Sequence, residues 1–335
     1  MQVSFIIPLY NCLSLTQAMV ASLQATLPAG LEHEIILVDD GSTDGTRDWL
    51  ARLRAPFRVV LNERNLGYAI SNNRGAAHAR GRFLALLNND LVLLPGWLEP
   101  MLEAHAELGS RAGIVGNIQL DARTGALDHA GIVMSLKAKP EHARTPPSRP
   151  ARSHPHFRFV PAVTGACLLI ERELWRKIGG FDEAFINGGE DVDLCFRARA
   201  AGHETVVALR SVVRHHVSSS LGRKRHDEMN SFRLAQRWRR EFIAAAIRPW
   251  IEAYIRTALS DPRADEYLLT LHALAYEAGM TAKPPAETRV RLEASLAHEF
   301  DRWSALFAPT SQPPARASSP PPSLTPARAQ TAFVI

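Results

Sequence analysis

Four short polar clusters in this 335-residue chain have the residue types to do chemistry. Asp39-Asp40-Gly41-Ser42 and Asn88-Asn89-Asp90 each set carboxylates beside small polar groups. Glu190-Asp191, with Asp193, follows Gly188-Gly189, and His215-His216 comes later. Neighbouring carboxylates repel one another and favour holding a proton, which suits general acid–base work. Each cluster also has a plainer reading. DGS and DGT are turn and cap sequences, an acidic first turn is favoured by the helix dipole, and paired histidines are often structural. What singles these clusters out is where the elements place them.

VSFIIP (3–8), EIILVD (34–39), FRVVLN (57–62) and RFLALLN (82–88) are short aliphatic runs ending in polar residues, the pattern of buried strands. Helical spacing fills 13–26, 44–54 and 68–80, with Asp44 placed to cap the second. Alternating strand and helix predicts a parallel sheet with right-handed crossovers. Ligands gather at the carboxyl ends of such strands. Those ends carry Pro8-Leu9-Tyr10-Asn11, Asp39 to Ser42, Asn62-Glu63-Arg64-Asn65 and Asn88 to Asp90. Gly67 allows a close backbone approach, and Arg74 is suited to a phosphate or a base. No GxGxxG follows the first strand and no Walker A sequence occurs, which disfavours dinucleotide and P-loop chemistry.

Composition narrows the class further. Hydrophobic residues are 46% and charged residues 22%, with a net charge of +5, so a buried core is expected. Three cysteines without a CxxC pair argue against a zinc or disulfide framework and fit a reducing cytosol. The first apolar run is too short for a signal peptide, and no run reaches membrane-spanning length. Nine Arg/Lys lie within 210–240 against two acids, a patch suited to phosphates, to an anionic membrane surface or simply to solvent. It has no RRM, KH or helix-turn-helix context, so no nucleic-acid partner is expected. Residues 137–158 read as a mobile insertion within a domain spanning 1–225. A helical extension follows over 226–307, and a Pro-rich tail over 308–335 holds seven of the 22 prolines.

In order and spacing, IIPLYN, VDDGSTDGT, NLGYAISNNRG, LNND, TGACLLI and GGEDVDLCFRARAAG resemble the inverting family-2 glycosyltransferases, over roughly residues 1–220. The match is closest to a rhamnosyltransferase-like branch that builds bacterial surface polysaccharides. The resemblance implies an α/β GT-A fold, a Rossmann-like, mostly parallel mixed sheet flanked by helices. It implies transfer of a hexose from a dTDP- or UDP-sugar to a glycan or lipid-linked acceptor, in the cytoplasm or peripherally at the inner membrane face. Pro8, Tyr10, Asn11, Asp39, Asp40, Asn65, Gly67, Arg74, Asn88 and Asn89 would bind the nucleotide-sugar. Asp90 and His215, with His216 as the alternative, would hold Mg2+ or Mn2+. Asp191 would be the base, Glu190 would cap or orient, and Thr164 and Gly165 would face the acceptor. Asn88 departs from the stricter DXD pattern by replacing its first aspartate. That departure gives some support to an alternative, a catalytically degenerate nucleotide- or glycan-binding GT-A module.

Overall fold

The computed structural model describes residues 1–135, 139–144, 154–216, 226–261 and 266–308. The first half runs β1 (Val3–Leu9), α1 (Leu13–Thr26), β2 (His33–Asp39), α2 (Thr46–Leu50), β3 (Phe57–Leu61), α3 (Tyr68–His78), β4 (Phe83–Leu87), β5 (Leu91–Leu93) and α4 (Glu99–Leu108). Next come β6 (Ala112–Asp121), β7 (Leu127–His129), β8 (Ile132–Met134), β9 (Pro140–His142), β10 (Phe157–Phe159), β11 (Cys167–Glu171), α5 (Arg172–Ile178), α6 (Glu190–Ala200) and β12 (Glu204–His215). Four helices close the described chain: α7 (Asp227–Arg237), α8 (Arg239–Ser260), α9 (Tyr267–Glu277) and α10 (Ala286–Phe307).

The main sheet has the order β10-β12-β6-β11-β4-β1-β2-β3. β1, β2, β3, β4, β6 and β12 run one way, while β11 and β10 run against them. The sheet is therefore mixed and mostly parallel. Its central strands β1, β2 and β4 are apolar on both faces because both are covered, whereas the edge strand β3 is partly exposed. Phe5 and Ile7 face α1 and α4, whereas Ile6 faces α3 and the later helices. Gly75 in α3 permits the close approach, since a Cβ there would lie 2.5 Å from Ile6 Cγ2.

Strand order reverses between β4 and β1, and the last β1–β4 pair is Ile6 with Leu86. Beyond that pair the strands part and leave a crevice at their carboxyl ends. Pro8 falls just past the divergence, so its missing N–H costs no rung to β4.

The helix expected over 44–54 is shorter, because Gly45 in the left-handed region starts α2 at Thr46. Asp44 still serves helix starts, accepting the N–H of Thr46 at 3.2 Å and that of Leu13, the first residue of α1, at 3.0 Å. Within the predicted insertion, residues 140–142 pair with β8 as β9, a correction to a purely loop reading. Residues 137–138 and 145–153 lie outside the described residues.

The later helices share the earlier core. Leu234, Phe242, Leu292 and Trp303 belong to the same apolar cluster as Leu84, Leu168 and Phe196. A polar tie accompanies this packing. Asp193 of α6, fully buried, accepts from Arg197 Nε at 2.7 Å, Trp238 Nε1 at 2.8 Å and Arg237 Nη1 at 3.0 Å.

Candidate active site

A cavity of about 220 Å3 opens at the crevice. It gathers Pro8, Tyr10, Asp40, Asn65, Gly67, Asn88, Asn89, Asp90, Thr164, Gly165, Glu190 and Asp191, and also Leu9, Tyr68, Ala166 and Asn187. Asn11, Asp39, Arg74 and His215, expected at the site, are not on its wall.

Asp40 organises one side. It is nearly buried, and its carboxylate accepts from Asn62 Nδ2 at 2.8 Å, the Leu66 N–H at 2.9 Å and the Gly67 N–H at 2.8 Å. The loop after β3 is thereby folded against the end of β2. Gly41 lets the two meet: a Cβ there would lie 2.7 Å from the Arg64 carbonyl carbon, and its φ is 82°. Asp39 faces away, buried against Arg47 Nε at 2.7 Å. Asn11 accepts the Thr43 N–H at 2.8 Å, and Arg74 donates to Asn62 Oδ1 at 2.7 Å. These three brace the wall without lining it. Adjacent residues at a strand end point to opposite faces, which is why only one of Asp39 and Asp40 reaches the cavity. Tyr10, half exposed, offers an aromatic face at the rim.

The floor comes from the end of β4. Asn88 donates its N–H to Ala166 O at 2.8 Å, and Asn89 Nδ2 donates to Thr16 Oγ1 at 2.9 Å. β12 pairs with β5 so that His215 lies opposite Leu91, which brings its Nε2 to 3.1 Å from Asp90 Oδ1. The next residue, His216, donates its N–H to the Asp90 backbone oxygen at 3.0 Å. Asp90 Oδ1 and His215 Nδ1 are buried without hydrogen-bond partners among the described residues. Two adjacent ligand atoms on a six-coordinate ion of this size lie about 3 Å apart, so Asp90 and His215 fit the divalent cation that the sequence motif implies.

The opposite wall comes from Thr164-Gly165 and the start of α6. Asp191 Oδ2 accepts the Gly165 N–H at 2.9 Å, and Oδ1 accepts the Val192 N–H at 2.8 Å. Glu190 Oε2 accepts the Gly188 N–H at 2.7 Å, which holds the turn that presents Asp191. Each Asp191 oxygen retains a further lone pair, and the residue lines the cavity. Sequence reasoning did not single out Tyr68 or Asn187. Tyr68 donates its OH to Gly165 O at 2.7 Å and its N–H to Asn187 Oδ1 at 3.3 Å, spanning both walls. The available signals were the position of Tyr68 directly after Gly67 and the Asn187-Gly188 turn pair, with Asn187 at φ 52°.

Behind Thr164 lies a polar layer. His129, fully buried, accepts the Thr164 N–H at 3.5 Å, and burial holds its imidazole well below the usual range. The His142 imidazole above all holds the Asp128 carboxyl down at about 2, burial opposing and Arg144 and His215 adding to it. At the start of β9, Lys139 pairs with Glu228. Burial raises the Glu228 carboxyl, but Arg302, Lys139 and Trp303 outweigh it and hold it at about 2. Both carboxylates sit below their ordinary values of 3.8 and 4.5, so their stabilisation is full above those values and is lost as pH falls toward 2. For the buried Asp128 this amounts to roughly 2 kcal/mol. The melting temperature is expected to drop between pH 4.5 and 2, and less steeply in an Asp128→Asn/Glu228→Gln double variant. Equal slopes in thermal melts across that window would remove these two groups as the cause.

Among the described residues of the basic stretch at 210–240, four arginines are committed within the molecule. Arg210 pairs with Glu103, Arg233 donates to Ala184 O, Arg237 pairs with Asp182, and Arg239 lies over the Phe300 ring. Arg223, Lys224 and Arg225 lie outside the described residues. Among the described residues, no helix is long and apolar enough to cross a membrane.

A Rossmann-like parallel half, an antiparallel β11 inserted beside it and a polar cavity at the β1/β4 divergence define the GT-A class of fold. Residues 4–179, just over half of the chain, match the family described as glycosyl transferase family 2, and the chain belongs to that family. The matched stretch ends at α5, so Glu190, Asp191 and His215 lie beyond it. The chain is 29% identical over 342 residues to the O-antigen biosynthesis protein RfbC of Myxococcus xanthus, covering 95% of this chain and 26% of that one. It is 30% identical over 210 residues to the N-acetylglucosaminyl-diphospho-decaprenol L-rhamnosyltransferase of Mycobacterium tuberculosis, covering 56% and 68%. The chain spans about a quarter of the length of the first relatives it matches. Among solved structures it is similar in fold to GalNAc-T7 crystallised with UDP, GalNAc and Mn2+. There the TM-score is 0.58 at 20% identity, over 75% of this chain and 52% of the other.

Proposed function

We propose that the chain catalyses inverting transfer of a hexose from a nucleotide-diphosphate sugar to a hydroxyl of a glycan or lipid-linked acceptor. The observation that carries this reading is the single cavity that sets Asp90, backed by His215, on its floor and Asp191 on its wall. Tyr10, Asp40, Asn65 and Gly67 form the side suited to a nucleoside, with Asp40 available to accept a base N–H. A dTDP- or UDP-sugar fits this reading, and the rhamnosyltransferase and O-antigen relatives favour rhamnose or a similar hexose destined for surface polysaccharide.

Asp90 and His215 would hold Mg2+ or Mn2+, which supplies charge neutralisation for a diphosphate leaving group. The remaining work falls to the chain. Thr164, Gly165 and Tyr68 shape the acceptor side, and Asp191 takes the proton of the acceptor hydroxyl. The hydroxyl oxygen then bonds to the anomeric carbon as the carbon–oxygen bond to the diphosphate breaks and the nucleoside diphosphate departs with that electron pair. One displacement with one base and no enzyme nucleophile inverts the configuration.

A panel of nucleoside diphosphates and nucleotide-sugars, each melted with and without Mn2+, tests the donor half of the proposal. One pyrimidine diphosphate should raise the melting temperature, and more so with Mn2+. If no nucleotide moved it, the transferase reading would fail. A shift by nucleotide without turnover of any nucleotide-sugar would favour the degenerate binding module that Asn88 allows.

A further inference from the structure

A second cluster of metal-binding side chains lies on α4, apart from the cavity. Glu107 sits in the last turn of that helix, and His154 and His156 lie on the bend leading into β10. Glu107 Oε2 is 3.0 Å from His154 Nδ1, and Oε1 is 2.8 Å from His156 Nδ1. One ligand atom from each residue can be chosen so that all three lie within 4.8 Å of one another. Glu107 is exposed and the two histidines are partly buried, which leaves room for water to complete a coordination shell.

Local sequence explains the convergence. His154 and His156 flank a bend at 155–156, across which the His156 N–H donates weakly to His154 Nδ1 at 3.4 Å, and the intervening Pro155 restricts that backbone. The His154 ring is stacked on buried Phe157, centroids 4.4 Å apart and 14° from parallel, so its orientation is fixed. Among the described residues, Glu107 forms ion pairs with no lysine or arginine. The nearby Arg210 is taken by Glu103, one turn back on α4.

We propose that Glu107, His154 and His156 form a second divalent-cation site, of zinc-class preference, that clasps the end of α4 to the segment preceding β10. Two imidazoles and one carboxylate suit Zn2+, Ni2+ or Co2+, whereas Mg2+ and Mn2+ favour oxygen-rich sites. The cation would replace protons otherwise shared between the imidazoles and Glu107, so binding releases protons and weakens in acid. The clasp joins the edge strand β10 to the helix layer on one face of the sheet.

The test is calorimetric titration of tag-free, chelator-treated full-length protein with Zn2+, repeated with Co2+ to read its visible absorption. Wild type should bind Zn2+ at a site whose affinity falls at least about tenfold in Glu107→Gln and in His154→Ala/His156→Ala. The same site should persist in Asp90→Asn. Glu107→Gln is isosteric at an exposed position, so it separates lost ligation from lost folding. Equal Zn2+ binding by wild type and both variants would overturn the proposal. So would a wild-type site that vanishes with Asp90→Asn, because the zinc would then belong to the cavity. Absence of wild-type Zn2+ binding would leave the three groups as a proton-sharing clasp only and would also overturn it.

Discussion

Asp191→Asn is expected to reduce sugar transfer by roughly 10²–10⁴-fold, the range that general-base removal costs, while nucleoside diphosphate affinity changes less than about threefold. Asparagine keeps the volume of the side chain, and its oxygen can still accept from either the Gly165 N–H or the Val192 N–H. Its amide nitrogen cannot accept the other, so one backbone hydrogen bond is lost. That costs about 1 kcal/mol of stability, too little to unfold a domain. What the substitution removes outright is the capacity to take a proton. Transfer should be followed by release of nucleoside diphosphate, and affinity by calorimetry on the same preparation. A variant that lost donor binding and transfer together would overturn the base assignment, because Asp191 would then be holding the donor.

Asp90→Asn should act on the other reactant. Donor affinity measured with Mn2+ is expected to fall by about 100-fold, to near the value wild type shows in EDTA, and transfer should fall with it. Asp90 Oδ1 is buried without a hydrogen-bond partner among the described residues and lies 3.1 Å from His215 Nε2. A hard cation that offsets diphosphate charge needs an anionic oxygen there, and the isosteric amide supplies a far weaker one. His215→Ala should give the same pattern with a smaller loss, since it leaves the carboxylate in place. Wild-type affinity that is equal in Mn2+ and EDTA would sink the metal role of Asp90. The paired results also separate the reactants, with Asp191 acting on turnover and Asp90 on donor binding.

The first half of the fold was readable because β1, β2 and β4 are buried on both faces and appear as apolar runs, and the edge strand β3 keeps enough of the pattern to register. The predicted 3–8 and 82–88 became Val3–Leu9 and Phe83–Leu87. The second half was not, because β5, β7, β8, β9 and β10 have only three residues each, too few for a period to register. β6 carries Gly113 and Gly116, which interrupt its pattern. At the cavity, sequence could name the pairs Asp39-Asp40 and His215-His216 but could not choose within the first. Which member faces in is set by the strand's pleat. Arg74 had the right chemistry for a phosphate and was drawn instead to Asn62. Tyr68 and Asn187 meet across 119 positions of sequence, a pairing that no local pattern encodes.

Buried Asp193 bears on what the chain is as a folding unit. The family match stops at α5, and composition suggests a boundary near 225, as though the last helices were an appendage. Yet this carboxylate, two residues from Asp191 in the same helix, draws two of its partners, Arg237 and Trp238, from beyond that boundary. A chain cut at 225 would keep Arg197 beside Asp193 while stripping away both partners and the apolar cover of Phe242, Leu292 and Trp303. Removing partners from a buried charge typically costs about 3–5 kcal/mol, a large fraction of the stability of a whole domain. The late helices and α6 are therefore expected to melt together. An expression fragment or a chimera designed on the family boundary would split the molecule through a shared core.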